Sequence, residues 1–90
     1  MKKEYYLKAT YDSQASFYNK ALVKEEENGA KALYSYNTFV CRVEGGKYRL
    51  NGAIDRDLLF SNTTLRHIKE FLRQELGLEN LTKKDLEKTL

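Results

Sequence analysis

Proline is absent from this chain, and its 90 residues hold one cysteine and one histidine. Without proline there is no proline-rich linker and no polyproline ligand. One cysteine excludes an internal disulfide framework and any zinc site built from several thiolates. With a single histidine as well, a transition-metal site would need mostly carboxylates. Long apolar runs are missing too: none approaches the ~18 residues of a membrane-spanning helix. Neither sign of charge dominates, since 16 Lys+Arg stand against 13 Asp+Glu for a net charge of +3. That excess permits attraction to nucleic acid without demanding it. The start, Met1-Lys2-Lys3-Glu4-Tyr5-Tyr6, is basic but has no apolar stretch of signal-peptide length behind it. Together with the lone thiol, Cys41, this points to the cytoplasm.

What is present suits one small folded domain, spanning residues 1–90. The chain is 41% hydrophobic and 12% aromatic, too apolar for a disordered polymer. Tyr5, Leu7, Ala9 and Tyr11 alternate with Tyr6, Lys8 and Thr10, a period of two that predicts a strand near residues 3–11. A second strand is expected over about 16–25, with Phe17, Ala21 and Val23 on one side. Asn28-Gly29 is a strong hairpin signal, because both residues tolerate positive φ. A two-residue turn there sets Val23 opposite Tyr34 and Ala21 opposite Tyr36. A second hairpin turns at Gly45-Gly46 and pairs Glu44 with Lys47, Val43 with Tyr48 and Cys41 with Leu50. Between the hairpins the apolar face changes from even positions, Tyr34 and Tyr36, to odd ones, Phe39, Cys41 and Val43. A continuous strand switches phase only through a bulge or bend, expected within Ser35-Tyr36-Asn37-Thr38.

The second half reads as helix. Leu65, Ile68, Leu72 and Leu76 recur at spacings of three and four, with Phe71 on the flank. Ser61 is the N-cap and Gly77 the C′ residue, giving a helix over about 62–76. Thr82 and Asp85 form an acidic capping box for a short helix over about 83–89, docked through Leu86 and Leu90. The expected fold is α+β: an antiparallel meander of about four strands (two hairpins, residues about 3–54) with one main amphipathic helix on one face.

Chemistry-bearing patterns are few. His67 falls on the polar side of the main helix and has no nucleophile or orienting partner legible in the sequence. It reads as a surface or packing histidine, with acid–base work as the alternative. Cys41 lies on the core face, where a thiol is inert. Asp55 and Asp57 are a carboxylate pair in what reads as a polar connection. Gly45-Gly46 is used up by its turn and precedes no helix, so it is no phosphate loop. No catalytic, metal-binding or cofactor-binding residues are expected. Arg66, Lys69 and Arg73 form a basic stripe along one helix edge, able to track phosphates; the alternative is a solvated flank with Arg66 and Glu70 paired. The seven tyrosines are roughly double the usual density. Tyr6, Tyr18 and Tyr36 need not enter the core, and Lys8, Lys20 and Lys24 lie among them. Exposed, they stack on bases or anchor a protein interface; otherwise they are simply good strand formers.

Three blocks carry a resemblance: Ser16-Phe17-Tyr18-Asn19-Lys20-Ala21, Leu33-Tyr34-Ser35-Tyr36-Asn37-Thr38, and Ser61-Asn62-Thr63-Thr64-Leu65-Arg66-His67-Ile68-Lys69-Glu70-Phe71-Leu72. Over about residues 4–74 the chain resembles a family of short, uncharacterised proteins from phages and other mobile elements of Gram-positive bacteria. The final short helix lies outside these blocks. The resemblance implies an intracellular setting but no activity and no site. The expectation is a non-enzymatic binding module. Tyr18, Lys20 and Tyr36 would form a stacking surface, and Arg66, Lys69 and Arg73 a phosphate-tracking edge, for nucleic acid. A host protein, or a second copy of the chain, is the alternative partner. No membrane is expected.

Overall fold

A computed structural model describes residues 3–8 and 20–90. Five antiparallel strands form one sheet in chain order: β1 (Lys3–Tyr6), β2 (Ala21–Glu25), β3 (Lys31–Ser35), β4 (Thr38–Glu44) and β5 (Lys47–Leu50). Three helices follow, α1 (Arg56–Leu59), α2 (Asn62–Leu76) and α3 (Lys83–Glu87). The α+β meander matches the expectation, with five strands rather than about four. The parts of the first two expected strands that fall within 9–19 lie outside the described residues. After β1, Leu7 is buried and its N–H donates to the Ala21 carbonyl at 2.7 Å.

The extra strand arises at Ser35–Thr38. The chain does not bend there but reverses, with Ser35 paired to Thr38 across a two-residue turn. Tyr36 and Asn37 hold φ of 51° and 67°, the pair of positive angles a type I′ turn requires. A tyrosine in that region is uncommon, so the sequence carries no turn signal. A true bulge does exist, one step further along. Leu33 pairs with Cys41 but Tyr34 with Phe39, leaving Val40 as the extra residue. Phe39 therefore leaves the core face, while Val40, Cys41 and Val43 are buried.

The β2–β3 register also differs from expectation by one residue. Val23 lies opposite Leu33 and Ala21 opposite Ser35. The connection has three residues, Glu27-Asn28-Gly29, because Glu26 N–H donates to the Ala30 carbonyl at 2.8 Å. Gly29 at φ 88° closes the loop, and Asn28 Oδ1 accepts the Ala30 N–H at 3.1 Å. A one-residue slip exchanges the faces: Leu33 and Ser35 turn inward, and Tyr34 turns outward. The Gly45-Gly46 hairpin has the expected register throughout, with Glu44–Lys47, Val43–Tyr48 and Cys41–Leu50 opposed.

The helices cover one face. Ser61 Oγ accepts the Thr64 N–H at 3.3 Å and starts α2; Gly77, left-handed at φ 69°, ends it. Its fully buried centre is His67, Ile68, Phe71 and Leu72, with Leu65 and Leu76 only partly buried. The stripe is thus rotated toward Phe71 and His67 relative to expectation. Asp55-Arg56-Asp57, read as a plain connection, instead opens α1, with Asp55 Oδ1 accepting the Asp57 N–H at 2.8 Å. The Thr82–Asp85 capping box is formed. Its reciprocal hydrogen bonds hold the Asp85 carboxyl below its ordinary pKa. Leu86 is fully buried, whereas Leu90 is 40% exposed, so α3 docks through the former. Ala21, Val23, Leu33, Cys41, Val43 and Leu50 meet Leu59, Phe60, Ile68, Phe71, Leu72 and Leu86 in one core cluster. Burying each large aliphatic or aromatic side chain contributes roughly 1.5–3 kcal/mol. Burial also pushes the Cys41 thiol up to about 12, which makes it a packing residue.

Candidate functional site

The register assigns a second set of side chains to the face turned away from the helices. Tyr6, Leu22, Tyr34 and Phe39 are neighbours across β1–β4. Two ladder positions away, Glu4, Lys24, Ala32, Arg42 and Arg49 are neighbours across β1–β5. An aromatic row and a cation-rich row thus run side by side, perpendicular to the strands. The bulge at Val40 makes this alignment. Without the extra residue, Phe39 would point into the core with Ser35, and no ring would flank Tyr34.

The two central rings, Tyr34 and Phe39, have centroids 5.7 Å apart at an interplanar angle of 52°. Lys24 Nζ sits 4.5 Å from the Tyr34 centroid, within cation–π range. The same ammonium lies 3.8 Å from Glu4 Oε1, a loose contact between exposed groups. Arg42 is held more firmly, 2.8 Å from Glu26 and 3.2 Å from Glu44, and these carboxylates raise its pKa further. Arg49 is exposed and has no ion pair among the described residues. Tyr6 is 51% exposed at the β1 end of the aromatic row.

At the Ser35–Thr38 end, Tyr36 is also 51% exposed. Its N–H donates to the Lys20 carbonyl at 2.9 Å, and Lys20 Nζ stands 5.9 Å from its ring centroid. The Tyr36 ring also lies 5.8 Å from the His67 ring. Lys20 and Tyr36 are therefore neighbours at the Ser35–Thr38 end of the sheet. Tyr18 lies outside the described residues. Arg66, Lys69 and Arg73 lie on α2, across the sheet layer from the open face. Arg66 is exposed, Lys69 is half-buried and Arg73 Nη2 is 2.7 Å from Glu79 Oε1. The stripe is thus separated from the two rows, and Arg73 is engaged by a carboxylate.

His67 is not on a polar surface. It is fully buried, with Nδ1 2.8 Å from Ser35 Oγ, which is itself 3.2 Å from Thr64 Oγ1. A serine within reach of an imidazole has the geometry of a nucleophile and its base. Here Ser35 is 3% exposed and His67 0%, so neither is open to a substrate. The three form a buried polar network that ties the end of β3 to α2. Glu70 is buried as well, and its Oε2 accepts the Gln74 amide at 2.5 Å. Among the described residues no cluster of three His, Cys, Asp or Glu side chains is arranged to hold a metal ion. No described helix is long and apolar enough to cross a membrane.

Sequence reasoning missed Tyr34, Phe39 and Arg49 as surface groups. The expected register and phase place the first two in the core, and the loop and the bulge change both. The signal that could have found them is the adjacent pair Val40-Cys41, two small apolar residues in a row where strict alternation allows one.

A five-stranded antiparallel meander with its helices on one face and ring-bearing strands on the other is an α+β domain of open-faced type. The model of a family of unknown function, DUF8033, matches residues 5–88, and the chain belongs to that family. The match runs through α3, which the three resembling blocks do not reach. No curated protein and no solved structure matches the chain.

Proposed function

We propose that this protein is a small non-enzymatic module that binds nucleic acid through the open face of its sheet. The observation that carries this reading is the pairing of two rows: rings on Tyr6, Tyr34 and Phe39 beside cations on Lys24, Arg42 and Arg49, with Lys20 and Tyr36 at the adjoining end. Rings offer flat apolar surface to bases, and cations attract phosphates. In this reading Arg66, Lys69 and Arg73 make at most a secondary contact. The module works in the cytoplasm, in the phage or mobile-element setting that the sequence blocks suggest. Binding of a labelled mixed-sequence oligonucleotide, followed by fluorescence anisotropy, is expected to weaken steeply as salt rises. A Lys24→Glu/Arg49→Glu variant is expected to bind more weakly and with a shallower salt slope. Affinity unmoved by salt and by both charge reversals sinks the proposal.

A second reading has its own support. The outer edges of β1 and β5 have no strand partner among the described residues, and open edges invite pairing with another chain. A host protein or a second copy of this chain would bind there. A stoichiometric polypeptide that stays bound after nuclease treatment and in high salt would favour this reading over the first.

A further inference from the structure

We infer that the ligand is single-stranded and crosses the sheet perpendicular to its strands, bases on the Tyr6–Tyr34–Phe39 row and phosphates on the Lys24–Arg49 row. This rests on the nucleic-acid reading above and narrows it. Three features carry it.

The first is flatness. Reading a duplex takes an element that enters a groove, such as a helix or a two-stranded ribbon. Among the described residues this face has neither: Tyr34 and Phe39 are half-buried, and α2 is committed to the opposite face through Ile68, Phe71 and Leu72. Rings set so low can touch only bases that are already unstacked. The second feature is spacing. Positions two apart on a strand are about 6.5–7 Å apart, and neighbouring strands about 4.8 Å. The two rows therefore run parallel, one nucleotide's breadth apart. Phe39 and Arg42 are three apart in sequence, yet the bulged Val40 keeps them in their respective rows. The third feature is the distribution of charge. Glu26 and Glu44 already engage Arg42, and Glu4 terminates the cation row at β1. The positive charge least engaged by carboxylates is then at Arg49 on the β5 side, with Lys24 held only loosely by Glu4 at 3.8 Å and Lys20 beyond the aromatic row.

The test uses the full chain with three fluorescein-labelled probes: a short oligothymidylate, a short oligouridylate and a blunt DNA duplex. The single strands are expected to bind more tightly than the duplex by about tenfold or more. With both single strands above the duplex, equal binding of oligothymidylate and oligouridylate, or preference for either sugar, supports the inference. Phe39→Leu and, separately, Tyr34→Leu are expected to weaken single-strand binding about five- to a hundredfold. Using two ring variants covers the case in which one fails to fold. If the duplex binds as well as the single strands, and both ring variants bind like the unaltered chain, the single-strand inference is overturned while the nucleic-acid reading stands. If no probe binds, both fail together.

Discussion

The two ends of the sheet solve the same problem, reversing the chain, with opposite chemistry. At one end the β2–β3 and β4–β5 connections use glycines at positive φ, Gly29, Gly45 and Gly46. There the charges close on one another: Arg42 bridges Glu26 and Glu44, and Asn28 Nδ2 donates to Glu44 Oε2 at 3.0 Å. At the other end the β3–β4 turn uses Tyr36 and Asn37 in the same left-handed region. A side chain bearing a Cβ is disfavoured there by roughly 1–2 kcal/mol, asparagine being the tolerated exception. The first end is relaxed and electrostatically self-satisfied. The second holds an exposed ring on a strained backbone above a buried Ser35–His67–Thr64 network. Backbone strain of this kind tends to cluster at binding sites, which makes Tyr36 a position to test.

The largest expected effect comes from removing what anchors the strained end. His67→Ala would empty a fully buried site, strip Ser35 Oγ of its 2.8 Å partner and take away the ring beside Tyr36. Cavity and lost hydrogen bond together should cost about 2–4 kcal/mol, read as a lower midpoint in urea with the slope unchanged. A loss well under 1 kcal/mol would mean that the network does not hold the turn, and the contrast between the ends would disappear.

Local chemistry was legible wherever one short segment decides the outcome. Gly45-Gly46 determines its own hairpin, Ser61 and Gly77 bound α2, and Thr82 with Asp85 starts α3. What escaped were decisions taken between segments. Asn28-Gly29 fits a two- or a three-residue loop equally well, and only the fit of Leu33 into the core selects the latter. Once that register moves by one, Tyr34 changes face, and the exposure of half the candidate site changes with it. Tyr36 conceals a turn because tyrosine is a poor turn residue. Polarity alone puts His67 at the surface, whereas Ser35 and Thr64 supply the polar network that lets it be buried. The exposure of Tyr6 and Lys20 is legible because it does not depend on the slipped register, whereas Tyr36, set opposite Ala21 by the expected register, is exposed because it sits in the β3–β4 turn.

A smaller and opposite effect should follow from relaxing the strained turn. Tyr36→Asn/Asn37→Gly replaces it with residues suited to both positive φ angles. Thermal unfolding should shift upward, by about 1 kcal/mol of stability. Affinity for a labelled oligonucleotide should fall, because the exposed ring beside Lys20 is gone. This double change separates the two explanations of Tyr36. A variant that is more stable and binds as before would show the strain to be a tolerated accident of sequence. A variant that is more stable and binds less would show stability exchanged for function at this end alone.

The smallest effect is expected at the relaxed end. Glu44→Gln removes one of the two carboxylates on Arg42 but keeps an oxygen able to accept from Asn28 and from the guanidinium. Exposed ion pairs contribute little, because water solvates the separated charges nearly as well. The melting temperature should move by no more than about 2 °C. Binding should respond differently. Arg42 would be left with Glu26 alone, and the cation row would carry more net positive charge, so affinity for a polyanion should rise slightly and its salt slope steepen. A near-silent change in stability paired with a gain in affinity would show that the acidic tips restrain the open face rather than hold the fold together. If affinity were unmoved at low salt, where surface charge acts most strongly, the cation row would lie outside the path of the ligand, and the aromatic row would have to account for binding alone.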